Sequence, residues 1–255
     1  MKNLCTAKHD ERYWEIDALR GIAIVMMIFF HIIFDMTYYK VITINLETLP
    51  WRLFTYSIGT IFLILVGISL TLRYHKKHKN NTQQNLYLLF VTQGLRILGF
   101  GMLITIATWF FLKGNGTILF GVLHCIGVSI LLAYPFIRHR VTPFTLGIIC
   151  IILGVFLSRV HVEFPYLLWL GLRPKNFYTL DYFPLLPWFG VILLGICIGH
   201  TFYPQGIRKK QIRTVQTTSP VHALVFLGRH SLLIYLIHQI IIVGILMLLM
   251  TLQIL

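Results

Sequence analysis

Charged side chains are scarce in this sequence. Only 12% of its 255 residues are charged, with 8 acidic residues against 22 lysines and arginines. A soluble domain usually carries about 25% charged residues. Half of that share cannot cover a water-facing surface, and no stretch of the chain is hydrophilic and long enough to form a soluble domain. The composition therefore excludes an ordinary soluble protein.

Patterned cysteines and nucleic-acid motifs are also missing. The cysteines Cys5, Cys125, Cys150 and Cys197 form no disulfide or zinc spacing, and three of them lie inside apolar runs. We therefore expect no metal. The net charge of +14 has no RNA- or DNA-binding motif beside it, so no nucleic-acid partner is expected. The first fifteen residues mix both charge signs before an apolar run too long for a signal peptide, so none is expected.

Long apolar runs, by contrast, recur along the whole chain, and 57% of the residues are hydrophobic. A bilayer-spanning helix needs about 20 mostly apolar residues. The sequence predicts an all-α, polytopic membrane helix bundle of about seven transmembrane helices, with a short helix over 219–228. We expect a cytoplasmic segment over 1–15 and one transmembrane domain over 16–255. The predicted spans are 16–36, 50–72, 86–112, 117–137, 143–159, 184–203 and 231–252.

The lysines and arginines between the predicted spans are unevenly distributed. Lys76, Lys77, Arg138 and Arg140 lie in segments on the same side as the N-terminus, whereas the opposite side has fewer basic residues. Basic loops stay in the cytoplasm. The sequence therefore predicts a multi-pass protein of the cell membrane, in contact with its lipids, with its N-terminus cytoplasmic and its C-terminus outside.

The first predicted span contains the richest set of ionisable residues, and such residues are functional candidates because burying them in a membrane is costly. Arg20 and His31 are eleven residues apart, which places them on one helix face about 16 Å apart. Asp35 follows His31 by four residues on the same face. A carboxylate there is expected to orient the imidazole as a general base, and Arg20 is suited to hold an anion. Asp17 is expected to form an ion pair with Arg20.

Other spans contribute further candidates. Arg96 lies about 15 Å into the third span and needs an anionic partner there. His124 lies about 10 Å below the outer face, near the depth of His31. His238 lies about 10 Å above the inner face, one turn after Tyr235. We expect a polar cavity where these residues converge with the first span.

Four segments, taken in order, resemble a known family. Residues 16–31 (IDALRGIAIVMMIFFH) resemble the first helix of membrane acyltransferases, and the arginine–histidine spacing resembles the signature of the acyltransferase-three family. The other three segments, in chain order, are residues 120–128 (FGVLHCIGV), 183–190 (FPLLPWFG) and 227–239 (LGRHSLLIYLIHQ). This order resembles small prokaryotic members of the heparan-α-glucosaminide N-acetyltransferase catalytic-domain family.

The resemblance implies transfer of an acyl group, expected to be acetyl, from cytoplasmic acyl-CoA to a sugar or glycan acceptor outside. It places His31 at the deep polar position of the first helix and His238 in the motif of the last helix. The animal enzymes have a further histidine about eleven residues after that position, where this chain has Ile42, and this departure favours the bacterial pattern over the animal acceptor specificity. The characterised animal enzyme also has a large lumenal domain that this sequence lacks, so heparan itself is not the expected acceptor.

The site expected from the residues and the resemblance together has three parts. The predicted catalytic residues are His31, Asp35 and His238. The predicted acyl-CoA-binding residues are Arg20, Arg96 and Arg229, with acetyl-CoA as the donor substrate. His124 and Tyr235 are the predicted oxyanion or acceptor contacts.

Two alternatives stay open at this stage. A proton-coupled transporter or lipid flippase would use His31 and Asp35 as a proton relay and would need no acyl-CoA. A haem protein would use His31 and His124 as axial ligands. A homodimer is compatible with a chain that has no soluble domain.

Overall fold

The structure, a computed structural model, describes residues 13–78, 82–209 and 219–254. The predicted N-terminal segment 1–15 lies mostly outside the described residues. Regular structure in the described ranges is helical, apart from two isolated β-bridges. The α-helices are α1 Trp14–Tyr38, α2 Leu49–His78, α3 Gln83–Leu112, α4 Val122–Ala133, α5 Thr142–Leu157, α6 Leu185–Phe202, α7 Ser219–Arg229 and α8 Ser231–Thr251.

Every predicted span coincides with a helix, which confirms the all-α fold. Five of the described helices, namely α1, α2, α3, α6 and α8, are long and apolar enough to cross a membrane. Helices α4 and α5 are apolar but shorter, so the number seven stays a prediction, as does the orientation of the termini.

The fourth helix begins at Val122, and the predicted start at residue 117 is wrong. The Asp181 carboxylate accepts a hydrogen bond from the Val122 backbone N–H at 3.1 Å and so satisfies the helix terminus. The residues just before it pair instead with a later loop, through a bridge between Phe120 and Tyr182. Since the partner residues are about sixty positions away in sequence, apolarity alone could not reveal this boundary.

The chain divides into two compact units, one formed by residues 1–62 with 212–255 and the other by residues 63–211. In the first unit, α7 and α8 pack against α1. Its apolar core is built around the buried side chains Ile24, Met27 and Ile58, with Phe54 and Tyr235 packed against them.

The second unit contains α3, α4, α5, α6 and the rest of α2. Its largest buried side chains include Phe90, Ile130 and Ile192. The loop after α5 is anchored by Tyr182, whose phenol donates a hydrogen bond to the Leu168 carbonyl at 2.8 Å. Burial raises the pKa of Tyr182 to about 12, so this anchor stays protonated at neutral pH. The prediction of a single transmembrane domain stays a prediction.

Candidate active site

Two histidines from different helices face each other inside the first unit. His31 on α1 and His238 on α8 meet edge to face, with their ring centroids 4.7 Å apart. His238 is buried, with 8% of its surface exposed, and the edge of Phe30 borders His31 on another side. The pair therefore lies in a confined, mainly apolar setting.

The backbone fixes which nitrogen of each ring carries the proton. His31 Nδ1 lies 2.9 Å from the Met27 carbonyl oxygen, and His238 Nδ1 lies 2.7 Å from that of Tyr235. A carbonyl oxygen only accepts, so in each neutral ring Nδ1 is the donor and Nε2 holds the lone pair. His238 Nε2 is buried and has no hydrogen-bond partner in the described part of the chain. Each ring thus has a lone pair on Nε2 that can accept a proton.

A carboxylate lies one helical turn beyond this pair. Asp35 is 3% exposed, and the Gln239 side-chain amide donates to its two oxygens at 2.9 and 3.0 Å. The carboxylate also contributes, after burial, to raising the pKa of Tyr39 just past the end of α1. The Asp35–Gln239 pair joins α1 to α8 next to the two histidines.

The hydrogen bond expected between Asp35 and His31 is not formed. Their spacing puts the two residues on the same helix face, but His31 turns its Nδ1 back to Met27 and Asp35 turns to Gln239. The backbone carbonyl, rather than Asp35, therefore orients the imidazole of His31.

Counting along each helix did not predict that His31 and His238 meet. His31 was expected about 16 Å beyond Arg20, and His238 only about 10 Å into its span, yet their rings touch. The short helix α7 runs back along α1 before α8 begins, because Gly21 adjoins Leu224 while Gly228 adjoins Asp17. The part of α8 that adjoins His31 is therefore set by the packing of α7 and α8 against α1, which a count along a single helix does not reveal.

A basic cluster surrounds Asp17 near the start of α1. Asp17 is 1% exposed and pairs with Arg20 Nη1 at 2.9 Å, which confirms the ion pair expected from the sequence. Arg229 approaches the other Asp17 oxygen through its Nε at 3.5 Å, with about half of its side chain exposed. Two of the three predicted acyl-CoA-binding arginines are thus held by one buried carboxylate.

The close contact between α1 and α7 positions the basic cluster around Asp17. A Cβ atom at Gly21 would overlap the Leu224 carbonyl, and one at Gly228 would overlap the Asp17 carbonyl. Only glycine permits the two backbones to approach so closely. Arg229 follows Gly228 directly, so the contact between α1 and α7 places the Arg229 guanidinium next to Asp17.

Two of the remaining predicted site residues, Arg96 and His124, lie in the second unit. Arg96 is exposed on α3, with its guanidinium 5.8 Å from the centre of the Phe100 ring. His124 is buried, accepts from the Gly121 backbone N–H at Nδ1, and meets Thr105 Oγ1 with Nε2 at 3.2 Å. Both of its ring nitrogens are engaged, so the haem hypothesis, which needs a free His124 nitrogen, loses its second ligand in this arrangement.

The structure adds one polar residue that the predicted site left out. Gln239 adjoins His238 in the sequence and ends the family-like segment 227–239, and these two features were the available signals. Tyr235, a predicted contact, lies beside the pair, with its ring 5.6 Å from that of His238. The first unit therefore contains His31, Asp35, His238, Gln239, Tyr235, Arg20 and Arg229.

Long apolar helices, a buried pair of histidines and a separate basic cluster define a polytopic membrane protein with a polar site among its helices. The profile described as "Heparan-alpha-glucosaminide N-acetyltransferase, catalytic" matches residues 12–240. The match covers most of the chain, so the protein belongs to this family, whose members are membrane acetyltransferases. No curated protein and no solved structure gives a significant match.

Proposed function

We propose that this protein transfers an acetyl group from cytoplasmic acetyl-CoA to a sugar or glycan acceptor at the outer side of the cell membrane. The observation that carries the proposal is the facing pair His31 and His238, each with a basic Nε2 fixed by the backbone. Membership of the acetyltransferase family supports the reaction class.

Donor binding is assigned to the basic cluster. Arg20 and Arg229 are held by the buried Asp17 near the predicted cytoplasmic end of α1. Guanidinium groups form strong, charge-assisted hydrogen bonds with phosphate oxygens. The pantetheine arm of the donor would then run along α1 and carry the thioester to the histidines, about 16 Å beyond Arg20 by helix geometry.

The acetyl transfer needs a base, and His31 Nε2 supplies it. The imidazole takes a proton from the acceptor hydroxyl or amine as that atom attacks the thioester carbon. The C–S bond then breaks, and the departing thiolate receives the proton from the imidazolium, so that CoA leaves as a thiol and the base is regenerated.

The neighbouring side chains would assist this step. The Asp35 carboxylate lies one helical turn from His31 and is held there by Gln239. Its negative charge would favour the imidazolium form of His31. Tyr235, whose ring lies 5.6 Å from that of His238, is the candidate donor to the developing oxyanion. His238 contributes a second basic nitrogen beside the reacting groups.

Calorimetric titration of the detergent-purified protein with acetyl-CoA and with CoA tests the proposal. We expect both ligands to bind. Arg20→Ala should weaken that binding by about 10- to 100-fold, the effect of losing a charge-assisted hydrogen bond. His31→Ala should leave donor binding nearly unchanged while abolishing acetyl transfer, because the base acts only on the acceptor.

Arg140→Ala is the matched control, since Arg140 is an exposed arginine in the turn before α5. Folding of each variant is checked by its thermal unfolding profile. Absence of binding of either ligand to folded wild-type protein would refute the donor assignment and favour the proton-coupled transporter. Equal loss of binding and transfer in both folded variants would refute the division of roles between Arg20 and His31.

A further inference from the structure

One charged side chain lies exposed on α3, on the side of the helix that faces away from α4. Gly94 and Gly101 pack against α4, where their neighbours are Leu131 and His124. At about 100° per residue, Arg96 lies about 140–160° around the helix from these glycines. Arg96 is exposed, and α3 is long and apolar enough to cross a membrane. Its side chain therefore points toward the surrounding membrane.

The exposed residues around Arg96 are apolar. Leu103 and Phe110 follow it at intervals of seven residues on the same face, with 60% and 73% of their surfaces exposed. A water-filled cavity would be lined by polar side chains, whereas an apolar face of this kind suits lipid. Gly99, one turn after Arg96, has nothing within 4 Å of the position where a Cβ would lie. It leaves a notch on this face beside the arginine.

Arg96 has no anionic partner within the described ranges of the chain. Its guanidinium lies 5.8 Å from the centre of the Phe100 ring, a cation–π contact that uses the face of the ring and no hydrogen-bond acceptor. One turn earlier, the side-chain oxygen of Gln93 is buried and accepts no hydrogen bond, so it does not serve Arg96 either. An arginine within a membrane span is costly unless an anion or polar group pairs with it. Its partner therefore has to come from the surroundings of α3.

The length of α3 places Arg96 near one edge of the hydrocarbon layer. The helix has 30 residues and is about 45 Å long, whereas the hydrocarbon core is about 30 Å thick. Trp109 and Lys113 mark the far boundary, since both residue types anchor helices at the interface. A core of about 20 residues that ends at Leu112 begins near Gln93, so Arg96 lies about 5 Å inside it. Side chains on a helix lean toward its N-terminus, which is here the nearer surface, so the guanidinium reaches the level of the lipid phosphates.

We propose that Arg96 binds the phosphate group of a membrane phospholipid whose acyl chains lie along the exposed face of α3. A guanidinium forms charge-assisted and often bidentate hydrogen bonds with phosphate oxygens. Gly99 leaves room for the first carbons of one acyl chain, and Leu103 and Phe110 contact the rest of it. This lipid site is separate from the proposed acetyl transfer and does not depend on it. It assigns Arg96 to a lipid rather than to acyl-CoA.

Native mass spectrometry of the delipidated, detergent-purified protein tests the site by titration with dioleoylphosphatidylglycerol. We expect the wild-type protein to retain this lipid about tenfold more tightly than Arg96→Gln, because a charge-assisted contact is lost. Arg96→Lys should bind with intermediate affinity, since lysine keeps the charge and loses the bidentate geometry. Dioleoylglycerol, which has the same chains and no phosphate, should bind the three proteins equally.

A second variant tests the notch without changing the arginine. Gly99→Phe should fold like wild type, because nothing lies within 4 Å of the new Cβ, and should weaken retention of the phospholipid as strongly as Arg96→Gln does. Gly244→Phe on α8, also at an open position, is its matched control. Arg140→Gln is the control for charge, since Arg140 is an exposed arginine in the turn before α5. Both controls should retain the lipid like wild type.

Three results would overturn the assignment, with folding of each variant checked by its thermal unfolding profile. Equal retention of the phospholipid by wild-type protein, Arg96→Gln and Gly99→Phe would show that this face has no lipid site. A dimer that Arg96→Gln converts to a monomer in the same spectra would assign the arginine to a carboxylate of a second copy. Weaker CoA binding by Arg96→Gln, with unchanged retention of the lipid, would assign it to the donor site.

Discussion

At the residue scale, the candidate site depends on how each buried side chain uses its hydrogen bonds. His31 and His238 each donate a hydrogen bond from Nδ1 to a backbone carbonyl, so that Nε2 holds the lone pair. His124 instead has both nitrogens engaged by Gly121 and Thr105. The same side chain therefore supplies a base on α1 and α8 and a structural bond on α4.

Replacing His31 or His238 by asparagine isolates the role of Nε2. Asparagine keeps a donor near the Nδ1 position and has no group in place of Nε2. We expect either variant to lose about 10²- to 10⁴-fold in turnover, the usual contribution of a general base, with unchanged affinity for acetyl-CoA. The measurement is thiol release from acetyl-CoA with an amino sugar as acceptor.

His139→Asn is the control for this pair, because His139 is exposed in the turn after α4. Wild-type turnover in His238→Asn would remove His238 from the catalytic group and leave His31 as the only base.

At the scale of elements, the site depends on two helix contacts within the first unit. The glycine contact between α1 and α7 brings Arg229 to Asp17. The hydrogen bonds between Asp35 and Gln239 join α1 to α8 beside the histidines. Interhelical hydrogen bonds in membranes contribute only about 0.6–2 kcal/mol, so close packing must support the second contact.

Gly228→Ala tests the first contact. The added methyl group would overlap the Asp17 carbonyl, so the helices must separate, at a cost of about 1–3 kcal/mol or more. We expect a lower unfolding temperature and weaker CoA binding, because Arg229 moves away from Asp17.

Gly244→Ala in α8 supplies the control, since nothing lies within 4 Å of its new Cβ. It should be neutral or slightly stabilising, because alanine is the better helix former. Similar unfolding temperatures for the two variants would show that the α1–α7 contact is looser than described.

At the scale of the whole molecule, the number of helices that cross the membrane depends on α4 and α5. Five described helices are long enough, and α4 and α5 are shorter. If α4 and α5 both span, the turn between them lies on the opposite side from the loop after α5. If neither helix spans, the turn and the loop lie on the same side of the membrane.

Labelling of single cysteines decides between these arrangements. In a background without the native cysteines, His139→Cys reports on the turn and Tyr166→Cys, at a position 81% exposed, on the loop after α5. With seven spans and a cytoplasmic N-terminus, an impermeant maleimide should label position 166 in intact cells and position 139 only after permeabilisation. Labelling of both in intact cells would indicate that α4 and α5 do not span, and the reverse pattern would invert the orientation.

The helices, the membrane class and the family could be predicted from the order of the amino acids. Apolar runs of this length form helices in a bilayer because no water is present to satisfy an open backbone, and the four ordered motifs identified the family confirmed by the profile match. The ion pair of Asp17 with Arg20 was also predictable, since residues three apart on a helix are neighbours.

The contacts between the polar residues, by contrast, depend on how the helices pack. Local spacing allowed a bond between His31 and Asp35, but Asp35 bonds to Gln239, which is 204 positions away. The contact of His31 with His238 likewise depends on the path of α7 between α1 and α8. A helix repeat fixes which residues share a face, whereas the partner of that face is set by packing between segments that are distant in sequence.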